Sequence, residues 1–151
     1  MILVTGGTGL IGSHLLFHLI NSGKTVRSNY RSKASIEKVR KVFGYYTNDP
    51  SSLVEKIDWV QADITELGNL DKLFIDVDYV YHCVALISFD PKDYKILERT
   101  NVEGTANVVN LSLKYGIKKL CYVSSIAAIG SNPKQTEVTE ENEWNEAKAT
   151  V

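Results

Sequence analysis

MILVTGGTGLIGSHLLFHLI, residues 1–20, decides how the rest of the chain is read. Ile2, Leu3 and Val4 form a short apolar run of the kind required by a parallel strand buried on both faces, and the glycines that follow cannot continue it. From Leu10, the residues Ile11, Leu15, Leu16, Leu19 and Ile20 recur at helical spacing. The segment therefore predicts strand, turn and helix, with Gly23 as the stop.

Gly6, Gly7, Gly9 and Gly12 indicate what the turn is for. A residue without a side chain takes up positive φ and lets a ligand approach main-chain N–H groups. Here those groups, from Gly9 through Leu10 to Ile11, open a helix, where unpaired donors and the helix dipole favour an anion such as a pyrophosphate. Gly12, one turn in, lets the helix pack closely on the strand. A glycine motif that starts where a strand ends and a helix begins reads as a dinucleotide site.

With 151 residues, 44% of them hydrophobic and 23% charged, the chain suits one domain, assigned to residues 1–130 and followed by a polar segment over 131–151. A formal charge of −1 gives no electrostatic basis for binding nucleic acid or an acidic membrane. The basic cluster Arg31, Lys33, Lys38, Arg40 and Lys41 reads as a solvated helix face. Met1 leads directly into a strand without a long apolar run, so neither export nor membrane insertion is expected. Cys83 and Cys121 lie in apolar runs without C-x-x-C spacing, which predicts two buried thiols and a cytoplasmic protein.

Beyond Gly23, strands are expected at Thr25–Tyr30, Asp58–Ala62, Tyr79–Val84 and Leu120–Ser124. Helices are expected at Lys33–Phe43, Leu67–Phe74 and Pro91–Tyr115, the last broken near Gly104. Gly44–Lys56 reads as a loop or insertion with a helical turn near Ser52. Alternating strands and helices imply a Rossmann-like doubly wound parallel sheet of order 3-2-1-4-5, incomplete on its C-terminal side. Ligands in such sheets bind at the carboxyl ends of the strands, so Thr5, Tyr30, Ala62, Val84 and Ser125 should share one rim.

Folds of this kind that prefer NAD place an acid about 20 residues past the glycines. Between Gly12 and Glu37 this chain has none and offers Arg27, Arg31 and Lys33. A guanidinium such as Arg31 suits a 2′-phosphate, which favours NADP, with NAD as the alternative. Asp63 either accepts from an adenine amino group or caps the next helix. His14 and His18 have metal-pair spacing but no third ligand nearby, and His82 is either near the cofactor phosphates or a buried, satisfied imidazole. Ser124 and Ser125 close the fifth strand without a G-x-S-x-G elbow. Strand alternation allows only one of the two to face a reacting carbonyl.

With these residues in hand, the chain resembles the extended short-chain dehydrogenase/reductases (the NAD-dependent epimerase/dehydratase superfamily), and among them the dihydroflavonol reductases and hydroxysteroid dehydrogenases. TGGTGLIG at Thr5–Gly12, TVRSNYR at Thr25–Arg31, ADI at Ala62–Ile64, HCVA at His82–Ala85, NVEGT at Asn101–Thr105 and YVSSIAAIG at Tyr122–Gly130 carry the likeness. It implies that Gly6, Gly9, Leu10, Ile11, Gly12, Arg31, Asp63, Ile64, Val84, Ala85 and Asn101 serve the cofactor, and that Ser125, aligned through Gly130, is catalytic. It also implies hydride transfer at a nicotinamide and a homodimer formed through the long helix. Ile129 stands where epimerases of this family carry Tyr, which tilts the resemblance toward reductases.

No Tyr-x-x-x-Lys follows Ser125; the family places it about 25 to 30 residues after its Ser, so it is expected just beyond Val151. Three readings result: the cofactor-binding part of an NADP-dependent reductase of a small-molecule carbonyl or hydroxyl, inactive by itself; an NAD-dependent nucleotide-sugar epimerase or dehydratase; or a noncatalytic dinucleotide sensor or scaffold.

Overall fold

Leu3 and Val4 are both fully buried, and they face opposite sides of a sheet. The computed structural model describes residues 1–129, 137 and 139–142. Its strands are β1 (Ile2–Thr5), β2 (Val26–Tyr30), β3 (Asp58–Gln61), β4 (Tyr79–His82) and β5 (Lys119–Tyr122). All pairings are parallel and the order is β3-β2-β1-β4-β5, the one expected from the alternation. Helices α1 (Leu10–Asn21), α2 (Ile36–Phe43) and α3 (Pro50–Val54) precede β3; α4 (Leu67–Leu70) precedes β4; α5 (Tyr94–Glu98) and α6 (Gly104–Lys114) lie between β4 and β5. Val4 packs with Leu16, Phe17, Val26, Val39 and Phe43, whereas Leu3 packs with Leu70, Phe74, Val80, Val108 and Leu111. Each such side chain, once fully buried, contributes ~1.5–3 kcal/mol.

Several elements depart from expectation. The buried residues of α1 are Gly12, Ser13, Leu16, Phe17 and Ile20, while Ile11 is 54% exposed. The stripe is displaced because Gly12 and Ser13 bring the helix down onto the turn. The 44–56 stretch contains α3, started by Pro50 and capped by Asp49, which accepts from the Ser52 N–H at 3.3 Å. Tyr46 anchors this stretch by stacking on Phe17 at 4.3 Å, with its hydroxyl 2.6 Å from His14 Nδ1. The long helix is not broken: a π turn over Arg99–Glu103 joins α5 to α6. A Cβ at Gly104 would lie 2.5 Å from Ile64 Cδ1, so its glycine serves close packing of helix on sheet.

β4 ends at His82 and β5 at Tyr122, each two residues early. One more ladder bond, from Val123 N–H to the His82 carbonyl at 3.0 Å, closes the pair. Ser124 and Ser125 thus lie beyond the strand, and alternation does not choose between them. The cysteines also correct the expectation of burial: Cys83 is half-buried and Cys121 exposed. Cys121 belongs to β5, the last strand of the sheet, most of whose residues face solvent. No helix among the described residues is long and apolar enough to cross a membrane.

Candidate functional site

A groove of about 530 Å³ opens at the carboxyl ends of β1, β2, β3 and β4, lined by the glycine turn, the segment after β2, Asp63 and Ile64, and the run Cys83–Leu86. A second hollow, of about 400 Å³, lies at the opposite strand ends beside Met1, Lys24 and Asp78 and contains none of the candidate site residues.

The turn is held by Asn29 from β2 and by a bond within its own backbone. Gly6 adopts φ +74°, and its N–H donates to Asn29 Oδ1 at 3.0 Å. Asn29 Nδ2 in turn donates to the Ala62 carbonyl at 3.0 Å, so one buried amide ties together the ends of β1, β2 and β3. The sequence reading missed Asn29; its only signal was an amide inside an otherwise strand-like run. The Gly9 N–H is spent within the turn, on the Gly6 carbonyl at 2.9 Å. The anion donors narrow to Leu10 and Ile11, whose N–H groups open α1 without intrahelical acceptors or a side-chain cap. A Cβ at Gly9 meets only the Gly6 oxygen, at 3.2 Å, so the space above Gly9 faces the groove. Such a cradle fits a pyrophosphate.

At the end of β2, Arg31 is 77% exposed, with Nη1 3.8 Å from Asp63 Oδ2. Ser32, Ser35 and Lys38 line the same wall. Lys38 is exposed, as a solvated helix face requires, and also lines the groove. Arg27 is removed as a phosphate candidate: Nε donates to Asp58 at 2.7 Å, and Nη1 to the carbonyls of Lys72, Leu73 and Ile75. Lys33 lies outside the lining. Asp63 caps no helix; Oδ1 accepts from both the N–H and the hydroxyl of Thr65 at 2.9 Å, in an Asx turn. Its other oxygen is directed to Arg31.

The opposite wall is Val84, Ala85 and Leu86. Asn101 does not line the groove; it clamps Leu86, accepting from its N–H and donating to its carbonyl at 2.8 Å each. Asn107 likewise holds the Ile64 carbonyl at 3.0 Å. Ser125 is exposed beyond β5, its carbonyl accepting from Ala128 N–H at 2.9 Å, and it too lies outside the groove lining. Gly130 and most of 131–151 lie outside the described residues. No cluster of three metal-binding side chains occurs among the described residues, and His14 faces Tyr46.

His82 is fully buried, with Nδ1 2.6 Å from Thr5 Oγ1 and Nε2 3.0 Å from Thr105 Oγ1. Burial pushes its imidazole down to about 4 from the usual 6.5. Because the folded value lies below the unfolded one, the unfolded chain takes up the proton first. Stability is expected to fall as pH drops from 6.5 towards about 4. Urea midpoints across that window check this; a midpoint equally pH-dependent in His82→Gln would assign the effect elsewhere.

The model of the NAD dependent epimerase/dehydratase family matches residues 2–149. The chain belongs to this family. Among curated relatives of this family member, a putative dihydroflavonol 4-reductase of Synechocystis is 34% identical over 127 residues, covering 84% of the chain and 33% of the relative. UDP-glucose 4-epimerase 2 of Arabidopsis thaliana is 32% identical over 149 residues, covering 93% and 40%. The structure of UDP-glucose 4-epimerase from Bifidobacterium longum in complex with NAD+ and UDP superposes with a TM-score of 0.71 at 25% identity, over 96% of the chain and 42% of that protein. The epimerase/dehydratase chain thus spans well under half the length of these relatives.

Proposed function

We propose that the groove binds NADP and that the chain is the cofactor-binding part of an NADP-dependent reductase of a small-molecule carbonyl or hydroxyl. The observation that carries this reading is Arg31 and Lys38 on one groove wall, with no carboxylate between Gly12 and Glu37. Leu10 and Ile11 would hold the pyrophosphate on their N–H groups, Ile64 and Asp63 Oδ2 the adenine, and Arg31 with Lys38 the 2′-phosphate. Val84 and Ala85, held through Leu86 by Asn101, would shape the nicotinamide side. When bound, the nicotinamide supplies the hydride. Ser125 would donate its hydroxyl to the substrate carbonyl and hold it for reduction. Exposed Val102, Val109 and Leu113 on the long helix give the surface that a second copy would cover in a homodimer.

Competition between NADPH and NADH tests the cofactor. A charge-assisted pair to Arg31 is worth ~1.5–3 kcal/mol, so NADPH should bind roughly 10- to 100-fold more tightly and lose that margin in Arg31→Ala. Equal or better binding of NADH would end the NADP reading. In the longer protein, Ser125→Ala is expected to cut turnover ~100-fold or more with cofactor affinity held; loss of affinity with unchanged turnover would remove its catalytic role.

A second reading, an NAD-dependent epimerase, draws on the likeness to UDP-glucose 4-epimerase 2. Ile129, standing where that branch of the resemblance has Tyr, weighs against it. Dinucleotide binding in a longer protein without turnover on carbonyl compounds or nucleotide sugars would instead support a sensor or scaffold.

A further inference from the structure

We propose that His82 is a positioning residue, which carries the placement of helix α6 through Thr5 to the glycine turn and so sets cofactor affinity. This rests on the dinucleotide reading of the groove. Thr5 and His82 are partners in the β1–β4 ladder, the last pair before the turn begins. Both are fully buried. The ring bridges Thr5 Oγ1 at 2.6 Å and Thr105 Oγ1, on α6, at 3.0 Å. A neutral imidazole has one N–H and one lone pair, so one threonine accepts from the ring while the other donates to it, and the ring cannot turn without losing both bonds. Tyr122 stacks on it at 5.3 Å and 21°, which fixes its plane.

Gly6 follows Thr5 directly, and its backbone lies against the Cys83–Val84 peptide, one residue past His82: a Cβ there would be 2.9 Å from Cys83 C and from Val84 N. Any shift of the β4 end relative to β1 therefore enters the turn. Within the turn, the Gly6 oxygen takes the Gly9 N–H and so determines where Leu10 and Ile11 present their donors. A hydrogen-bonded chain that is fully buried at Thr5 and His82 and half-buried at Thr105 is stiff and transmits displacement. It also links the turn to the helix that carries Asn107, which holds the adenine-side wall at Ile64.

The test uses the full chain and begins at the outer end of the relay, where folding is least at risk. Thr105→Val keeps the shape and removes the hydroxyl; Thr105→Ser keeps the hydroxyl. The valine variant is expected to move the Gly6, Gly7 and Gly9 amide resonances of the ligand-free chain and to weaken NADPH binding about 2- to 12-fold, the range for one net hydrogen bond. Serine should restore both. In a His82→Asn background, where a polar group remains near Thr5 but nothing reaches Thr105, the valine change should add nothing. Unmoved glycine amides, or the same weakening with and without His82, would overturn the proposal. A wild-type chain that binds no NADPH would overturn the cofactor reading instead, and the glycine amides would then decide the positioning role by themselves.

Discussion

Gly9→Val is expected to abolish dinucleotide binding while leaving the fold intact. Gly9 has φ −84° and ψ 175°, extended backbone that a β-branched residue adopts readily. The nearest atom to a new Cβ is the Gly6 oxygen at 3.2 Å, a contact relieved by a few tenths of an ångström. Folding therefore does not require glycine here; the groove does. The added methyl groups fill the approach to the Leu10 and Ile11 N–H groups. Two charge-assisted hydrogen bonds at ~1.5–3 kcal/mol each are then lost, which is about 100-fold or more in affinity. Calorimetric titration with NADPH, alongside thermal unfolding of the same variant, checks both halves. Wild-type affinity would remove the turn from the site, and a collapsed melting temperature would mean that the glycine serves the fold.

Gly12→Ala should give the opposite pattern. Replacing a helical glycine by alanine ordinarily gains ~1 kcal/mol. Here the Cβ collides with the Gly6 oxygen and lies 2.8 Å from both the Gly6 carbon and the Gly7 Cα. These are backbone atoms, so no rotamer change relieves them. The helix must lift off or the turn must open, which strains the Gly6–Asn29 and Gly9–Gly6 bonds. A loss of about 3 kcal/mol is expected, at the upper end for overpacking and enough to reverse the propensity gain. Chemical denaturation measures it; a stabilised variant would show that the helix start yields more easily than its geometry implies.

The two glycines differ in cause: their places in the motif already separate the helix opening at Gly9 from the packing position at Gly12, and the structure adds that Gly12 packs on the turn backbone of Gly6 and Gly7. Spacing alone identified the strand, the turn and the helix, because alternation, helical repeat and glycine freedom are local properties that survive without any knowledge of neighbours. Local pattern also sufficed for strand order, since parallel strands joined by helices leave few right-handed arrangements. Of Thr5, Tyr30, Ala62, Val84 and Ser125, expected to share one rim, Tyr30 and Val84 line the groove at the strands' carboxyl ends, and Ser125 lies outside its lining.

Tertiary structure decided what each polar side chain is used for. Arg27 and Arg31 lie four residues apart and look equivalent, yet one is consumed by Asp58 and three carbonyls while the other is exposed at the groove. Lys38 on α2 is exposed, and only the placement of that helix makes it part of the groove wall. Asn29, Asn101 and His82 act through partners 23 to 33, 15, and 77 and 23 residues away in sequence, respectively. A hydrogen bond of that span is fixed by how strands and helices stack, and no local pattern encodes it. Sequence by itself therefore determined the frame and the rim at which the groove opens; only the packing of α6 and the loop ends decided which residues line it and which hold the others in place.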